Sequence, residues 1–338
     1  MTRLQYTASL PFEAARRDER GWHGHSFRLN VRSDPLSPPT DPEMWLQRCR
    51  EVIAPLDYSL LNEQCEAIDD ATLATHLMAR LQQLGTQPAR VELRSAPERG
   101  AVRSHSNATP HWRWHHFRFE AAHRLPNVPA DHPCGRMHGH SYRVVLEAGG
   151  DEQAEDLARL WAPIQAQLHR GCLNDILVNP TSERLAEWIW LRLRRHSPGL
   201  WRIQVQESEH SGCAFDGTTH TIWKAQRFEA ATPAGAAREV HGHGYRLRLY
   251  LRAPLDPDLG WTVDYGEVKA AFAPLREALD HRRLDEIAGL QRGDLAELGQ
   301  WLLKRGQESI PALYRVDIHE DEQRGVIVAL DEAEDARG

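Results

Sequence analysis

The sequence predicts an α+β protein built of three tandem ββααββ units. A four-residue segment occurs three times, a His-Gly-His triplet follows each copy, and strand-like and helix-like periodicities then come in one order. Phe12-Glu13-Ala14-Ala15 recurs as Phe119-Glu120-Ala121-Ala122 and as Phe228-Glu229-Ala230-Ala231. The triplets are His23-Gly24-His25, His138-Gly139-His140 and His241-Gly242-His243. These landmarks divide the chain into units spanning residues 1–105, 112–217 and 218–338.

Each unit opens with two strands. The alternation of Tyr142, Val144 and Leu146 after the second triplet is the pattern of a half-buried strand. A first helix closes at Leu56-Asp57-Tyr58, Leu168-His169-Arg170 and Leu279-Asp280-His281. The second helix reads best over Ser182–Leu193, where Leu185, Trp188, Ile189 and Leu193 share one face and Pro180-Thr181 supplies a start signal. A third strand follows at Arg90-Val91-Glu92-Leu93, Arg202-Ile203-Gln204-Val205 and Arg315-Val316-Asp317-Ile318, and a fourth strand ends each unit. The polar stretch from Pro97 to Pro110 reads as a first linker and Asp216–Thr219 as a shorter second one. His105, His111, His115 and His116, in or beside the first linker, read as solvated side chains.

Composition narrows the class of function. The chain has 338 residues, 41 Lys plus Arg against 48 Asp plus Glu, and a net charge of −7, so nothing in its bulk charge suggests nucleic-acid binding. With 41% hydrophobic residues it has enough apolar material for real cores. It shows neither an apolar run of about 18 residues nor a secretory leader, and the expected location is cytoplasmic. Five cysteines without a CxxC pair argue against a disulfide framework.

The second unit carries a candidate metal site. On a strand, residues two apart project from one face, so His138 and His140 can reach a common point, and His123 on the preceding strand can complete a three-donor zinc site with an open fourth position. Cys134 is either a fourth ligand, which would close the site, or a thiol held beside the metal for acid-base work. The outer units lack this set: Arg16 and Thr232 stand where the second unit has His123. The pairs His23/His25 and His241/His243 are read as remnants hydrogen-bonded within the sheet.

Residues 117–217 resemble the 6-pyruvoyl-tetrahydropterin synthase superfamily, and most of all its 6-carboxy-5,6,7,8-tetrahydropterin synthase branch. The likeness rests on Phe119-Glu-Ala-Ala-His123-Arg-Leu-Pro-Asn, Cys134-Gly-Arg-Met-His138-Gly-His140-Ser-Tyr, Leu173-Asn174-Asp175, Asn179-Pro-Thr-Ser-Glu183 and Glu207 followed by Ser211-Gly-Cys213. The resemblance implies a T-fold in which the three units form a pseudo-trimeric 12-stranded antiparallel barrel with helices outside. It also implies that two such rings pair as a homodimer. It makes His123, His138 and His140 zinc ligands, Cys134 a general base and Glu207 the anchor of a pterin ring.

Where the family has Leu-Asp-His, the second unit has Leu168-His169-Arg170. The third unit keeps Leu279-Asp280-His281 and the family-like Gly260-Trp261-Thr262-Val263-Asp264-Tyr265. One complete site is therefore expected at the junction of the second and third units, with Asp280 and His281 as its proton-transfer pair. Glu320, at the anchor position of the third unit, is read as a remnant, and the first unit has Ser95 there. The expected substrate is the small molecule 7,8-dihydroneopterin triphosphate, with no nucleic-acid or membrane partner, and with Arg124 and Arg136 near the site only in sequence. The competing expectations are a pyruvoyl-type lyase and a non-catalytic pterin- or purine-binding barrel.

Overall fold

The repeated sequence becomes three copies of one four-stranded antiparallel sheet. The computed structural model describes residues 2–19, 21–66, 69–105, 111–150, 154–234 and 239–331. The first unit comprises β1 (Thr2–Asp18), β2 (Gly21–Ser33), α1 (Pro42–Ile53), the two-residue β3 (Ser59–Leu60), α2 (Leu61–Gln64), α3 (Asp70–Gln83), β4 (Pro88–Ala96) and β5 (Arg99–Ser104). The second comprises β6 (His111–His123), β7 (His138–Gly149), α4 (Ala154–Leu168), β8 (Gly171–Cys172), α5 (Ser182–Leu193), β9 (Leu200–Ser208) and β10 (Ser211–Phe215). The third comprises β11 (His220–Ala234), β12 (Glu239–Leu251), α6 (Tyr265–Leu279), β13 (Arg282–Arg283), α7 (Leu295–Ser309), β14 (Leu313–His319) and β15 (Arg324–Leu330).

Twelve of these strands close one antiparallel barrel, because β5 pairs β6, β10 pairs β11 and β15 pairs β1. The short β3, β8 and β13 add in parallel to β1, β6 and β11. Helices cover the outside. Each unit has its own core there: Phe119, Ala121 and Tyr142 from β6 and β7 pack against Leu157, Trp161, Leu185 and Ile189 of α4 and α5. The alternate residues Trp114, His116 and Arg118 point into the lumen instead. Side-chain caps start the helices, with Asp41, Asp69, Thr181, Asp264 and Asp294 each accepting an amide of the first turn.

Two expectations about the first linker need correction. The stretch from Pro97 to Pro110 contains β5, and its residues 106–110 lie outside the described ones. His105 and His111 are exposed, as read, but His115 and His116 are half-buried residues of β6: His115 stacks on Phe117 with ring centroids 4.4 Å apart, and His116 Nε2 is buried. The reason is a glycine that reads as a turn former but serves a close approach. A Cβ on Gly100 would stand 2.7 Å from both the Trp114 ring and the Leu93 carbonyl oxygen. The second seam repeats the arrangement, with Gly212 opposite Trp223 and its Cβ position 2.7 Å from that ring and 2.9 Å from Val205 O.

A methyl group at either glycine would therefore push an indole off the seam. We expect Gly212→Ala to destabilise the protein by about 1–3 kcal/mol, the usual scale for overpacking, measured as a shift in urea midpoint. In a Trp223→Leu background the same change should cost much less.

Candidate active site

β6 and β7 pair with His123 directly opposite His138, and His140 adds a third ring from the same face. Ring centroids lie 4.5 Å apart for His123–His138, 5.1 Å for His123–His140 and 5.0 Å for His138–His140. One nitrogen of each lies within 4.8 Å of the others. Two rings are locked through Nδ1, which donates to Pro180 O at 2.9 Å from His123 and to Arg136 O at 2.7 Å from His138. Since a carbonyl only accepts, both Nε2 atoms keep free lone pairs.

His123 Nε2 is buried without a partner, and such a group calls for a ligand. Burial above all pushes the His123 pKa down to about 4, and it also lowers that of His140. Neutral imidazoles are what a metal needs, and three nitrogens with a fourth side open suit a zinc ion that works on substrate. Among the described residues this is the one group of three metal-binding side chains so gathered, and Cys134 is not part of it. The thiol therefore stands beside the triad rather than closing it.

Cys134 occupies the single turn Pro133–Gly135 between β6 and β7, half-buried and not disulfide-bonded. Its amide donates to His132 Nδ1 at 3.2 Å, which leaves the ring proton on Nε2, 3.5 Å from Asp264 Oδ2. Asp264 belongs to the third unit. It caps α6 by accepting from the amides of Gly266 and Glu267 at 2.7 and 3.0 Å. Burial first, then the carboxylates of Glu207 and Asp264, raise the pKa of the Cys134 thiol.

Glu207 lies near the end of β9. Burial, together with Glu183 and Asp264 and against Lys224, lifts its pKa to about 8. The buried Glu183 opens α5 and accepts the Thr262 amide at 3.0 Å, while Ser182 Oγ donates to its other oxygen at 2.9 Å. Thr181 Oγ1 and Asn179 Nδ2 donate to Gly260 O and Leu259 O, both at 2.6 Å. Gly260 has φ +73°, and a Cβ there would meet Asn179 Nδ2 at 2.9 Å, so glycine lets the third unit lie this close over the second.

Asp280 and His281 lie across an opening from the triad. β9 ends at Ser208 and β10 begins at Ser211, so His138–Tyr142 of β7 and the part of β11 beyond Ala225 have facing edges without a strand between them. On that edge of β11, β13 pairs with Ala230 and Ala231 directly after His281. Three strand spacings separate β7 from β11 and β13 fills one, which leaves roughly 10 Å between strand axes. Asp280 Oδ1 accepts the Glu229 amide at 2.9 Å and lies 3.3 Å from His281 Nδ1, and His281 exposes 80% of its side chain. Among the described residues no hydrogen bond or ion pair joins this pair to Cys134, and the 15 residues of α6 rise about 22 Å between Asp264 and Asp280.

The outer units have filled the triad position with other groups. In the first, Arg16 faces His23, donates to its Nε2 at 3.2 Å and pairs with Asp70 at 2.8 Å, while Ser95 Oγ donates to Asp70 at 2.6 Å. In the third, Thr232 faces His241 and donates to Gly293 O at 2.7 Å. Glu320 is held by Arg324 at 3.0 Å. Reading the sequence did not assign site roles to His132, Asp264, Thr181, Glu183 or Lys224. The available signal was the Gly260–Tyr265 and Asn179–Glu183 segments, whose contact across the unit boundary only the fold displays.

The profile of the 6-pyruvoyl tetrahydropterin synthase family matches residues 114–218 and again 218–330. These matches span more than half of the chain, and the chain belongs to that family. The 6-carboxy-5,6,7,8-tetrahydropterin synthase of Synechocystis sp. is 29% identical over 109 residues, covering 29% of this chain and 84% of that protein. A protein of Archaeoglobus fulgidus provisionally named for the same activity is 30% identical over 98 residues, covering 27% of this chain and 83% of its own length. Among solved structures, 6-pyruvoyl tetrahydropterin synthase of Caenorhabditis elegans aligns with a TM-score of 0.29 and 19% identity over 31% of this chain and 92% of its own. A urate oxidase of Bacillus sp. TB-90 aligns with a TM-score of 0.34 and 9% identity over 61% of this chain and 88% of its own.

We expect one zinc ion per chain by elemental analysis, and none in His123→Ala; three ions would mean that the outer units bind metal as well. The raised Glu207 pKa predicts a pH effect. A carboxyl whose folded pKa lies above its unfolded value stabilises most below the unfolded pKa of 4.5 and loses that contribution as pH climbs through about 8. Metal-free wild type should thus lose thermal stability between about pH 5 and pH 8.5 relative to Glu207→Gln. Parallel curves for the two proteins would show that Glu207 is ionised throughout.

Proposed function

We propose that the chain is a zinc-dependent 6-carboxy-5,6,7,8-tetrahydropterin synthase with one composite site, converting 7,8-dihydroneopterin triphosphate with release of acetaldehyde and triphosphate. Family membership supports a lyase-type reaction on a pterin. The observation that carries the finer reading is the second unit's intact set: three convergent imidazoles, a free thiol beside them and the half-buried Glu207 carboxyl, which acts on that thiol.

His123, His138 and His140 would hold the zinc ion, which would supply Lewis acidity to stabilise negative charge on side-chain oxygens of the substrate. Cys134 takes a proton from that side chain. Its thiol is hard to ionise in the metal-free site, and a cation at the triad opposes the carboxylates that keep it so. His132 is a positioning residue, because both ring nitrogens are engaged, one by the Cys134 amide and the other by Asp264. Glu207 accepts hydrogen bonds from the pterin ring nitrogens and fixes its orientation.

Asp280–His281 is assigned the second proton exchange. The pair is already formed, its imidazole is free of structural duty, and it lies on the β11 edge that faces the second unit. The ring of the substrate then occupies the slot between the two walls.

Turnover of dihydroneopterin triphosphate, with acetaldehyde as readout, tests the roles separately. Cys134→Ala and His281→Ala should each lower kcat by about 10²- to 10⁴-fold, the usual worth of one proton transfer, with zinc content unchanged. Wild-type turnover in His281→Ala would confine the site to the second unit and the Gly260–Tyr265 segment. Pterin binding without acetaldehyde from the wild type would make the protein a binder rather than a lyase.

A further inference from the structure

A second chamber lies inside the barrel, on the sheet face opposite the histidine triad. Its volume is about 500 Å³, and eight arginines against three carboxylates line it, although the whole chain carries −7. Each unit places one arginine at the same point of its third strand: Arg90 on β4, Arg202 on β9 and Arg315 on β14. What stands directly opposite on the neighbouring strand differs.

Arg202 faces Glu147 and donates to its two oxygens at 2.8 and 3.0 Å. Arg315 faces Tyr250, with its guanidinium carbon 4.6 Å from the ring centre, and donates to Asp317 at 2.6 and 2.8 Å. Arg90 faces Arg32. Like charges directly opposite on antiparallel strands repel. Glu92, 3.2 Å from Arg90, is also bonded to Arg94 at 2.7 Å. The guanidinium of Arg32 has no ion-pair or hydrogen-bond partner among the described residues. Burial first, then Arg90 and Arg315, push its pKa down to about 9 against the opposing effect of Asp317 and Tyr250.

We propose that the lumen binds a multivalent phosphate anion, with Arg32 and Arg90 as the pair that holds it. Planar guanidinium forks match phosphate oxygens two at a time, and a phosphate chain carries enough charge to answer several arginines at once. The site is independent of the pterin reaction, since it lies on the other face of the sheet. Free polyphosphate and the phosphate chain of a nucleotide share this chemistry.

Calorimetric titration of the full chain at low salt, with inorganic triphosphate and separately with ATP, tests the proposal. Binding of one anion per chain is expected, and tighter binding of ATP would identify a nucleotide as the source, equal binding the free anion. Arg32→Gln should weaken binding at least tenfold, raise the melting temperature of the anion-free protein and leave pterin turnover unchanged. Arg32→Glu, which recreates in the first unit the Glu147–Arg202 pairing, should abolish binding and stabilise the fold further. His138→Ala should bind the anion as the wild type does. No binding by the wild type, or binding that survives Arg32→Glu, overturns the proposal.

Discussion

A four-stranded sheet has two open edges, and the molecule depends on closing three such sheets on one another. Unpaired strand edges attract other chains, and a ring has none. The closing bonds at β5–β6, β10–β11 and β15–β1 are made by backbone groups. They constrain the outline of each unit but not most of its side chains. Tyr58, Arg170 and His281 illustrate this: all three sit where the first helix gives way to the short parallel strand, with φ of 54°, 61° and 58°. The backbone conformation is shared by the three units, and the chemistry of the side chain is not.

That freedom lets equivalent positions of the three units carry different side chains. In a symmetric trimer a substitution appears three times, whereas here it appears once. The first unit has the Arg16–Asp70–Ser95 cluster at the position where the second has His123, which puts a guanidinium in place of an imidazole. The third unit has Thr232 bonded to a carbonyl at the same place and instead lends Asp264 to the second unit's cysteine turn. Covalent order fixes which neighbour meets which, so the third unit can specialise toward the second without serving any other.

Much of this was legible in the sequence, because the repeated segments are themselves strand pairs. Phe119 lies opposite Tyr142 and His123 opposite His138, so the spacing between the Phe-Glu-Ala-Ala segment and the triplet encodes a register. The apolar face read over Ser182–Leu193 is α5 with the same ends. Contacts between units left no local trace. His132 and Asp264 are far apart in sequence, and each alone reads as a polar turn residue. Gly100 was misleading because a glycine that makes room for the Trp114 ring looks, in one dimension, like a glycine that makes a turn. The Arg32–Arg90 opposition was equally hidden, since strand pairing alone brings the two together.

Alternate residues of the same strands give the sheet two faces of opposite character. On β7, His140 and Tyr142 belong to the outer face while Arg143 and Glu147 line the lumen. On the outer face, burial lowers the pKa of His123 and His140, and the pKa values of Glu183, Glu207 and the Cys134 thiol are all raised. Each of these groups resists ionisation while no cation is near. A divalent ion at the triad would ease all three at once, so metal uptake and proton release should be linked, as they are wherever a site assembles ligands and acids in low dielectric. The same logic with the sign reversed governs Arg32 and Arg90 in the lumen, where burial first, then neighbouring guanidinium groups, lower the pKa of both. A single pleated wall can keep both arrangements because its two-residue period sends neighbours in the chain to opposite sides.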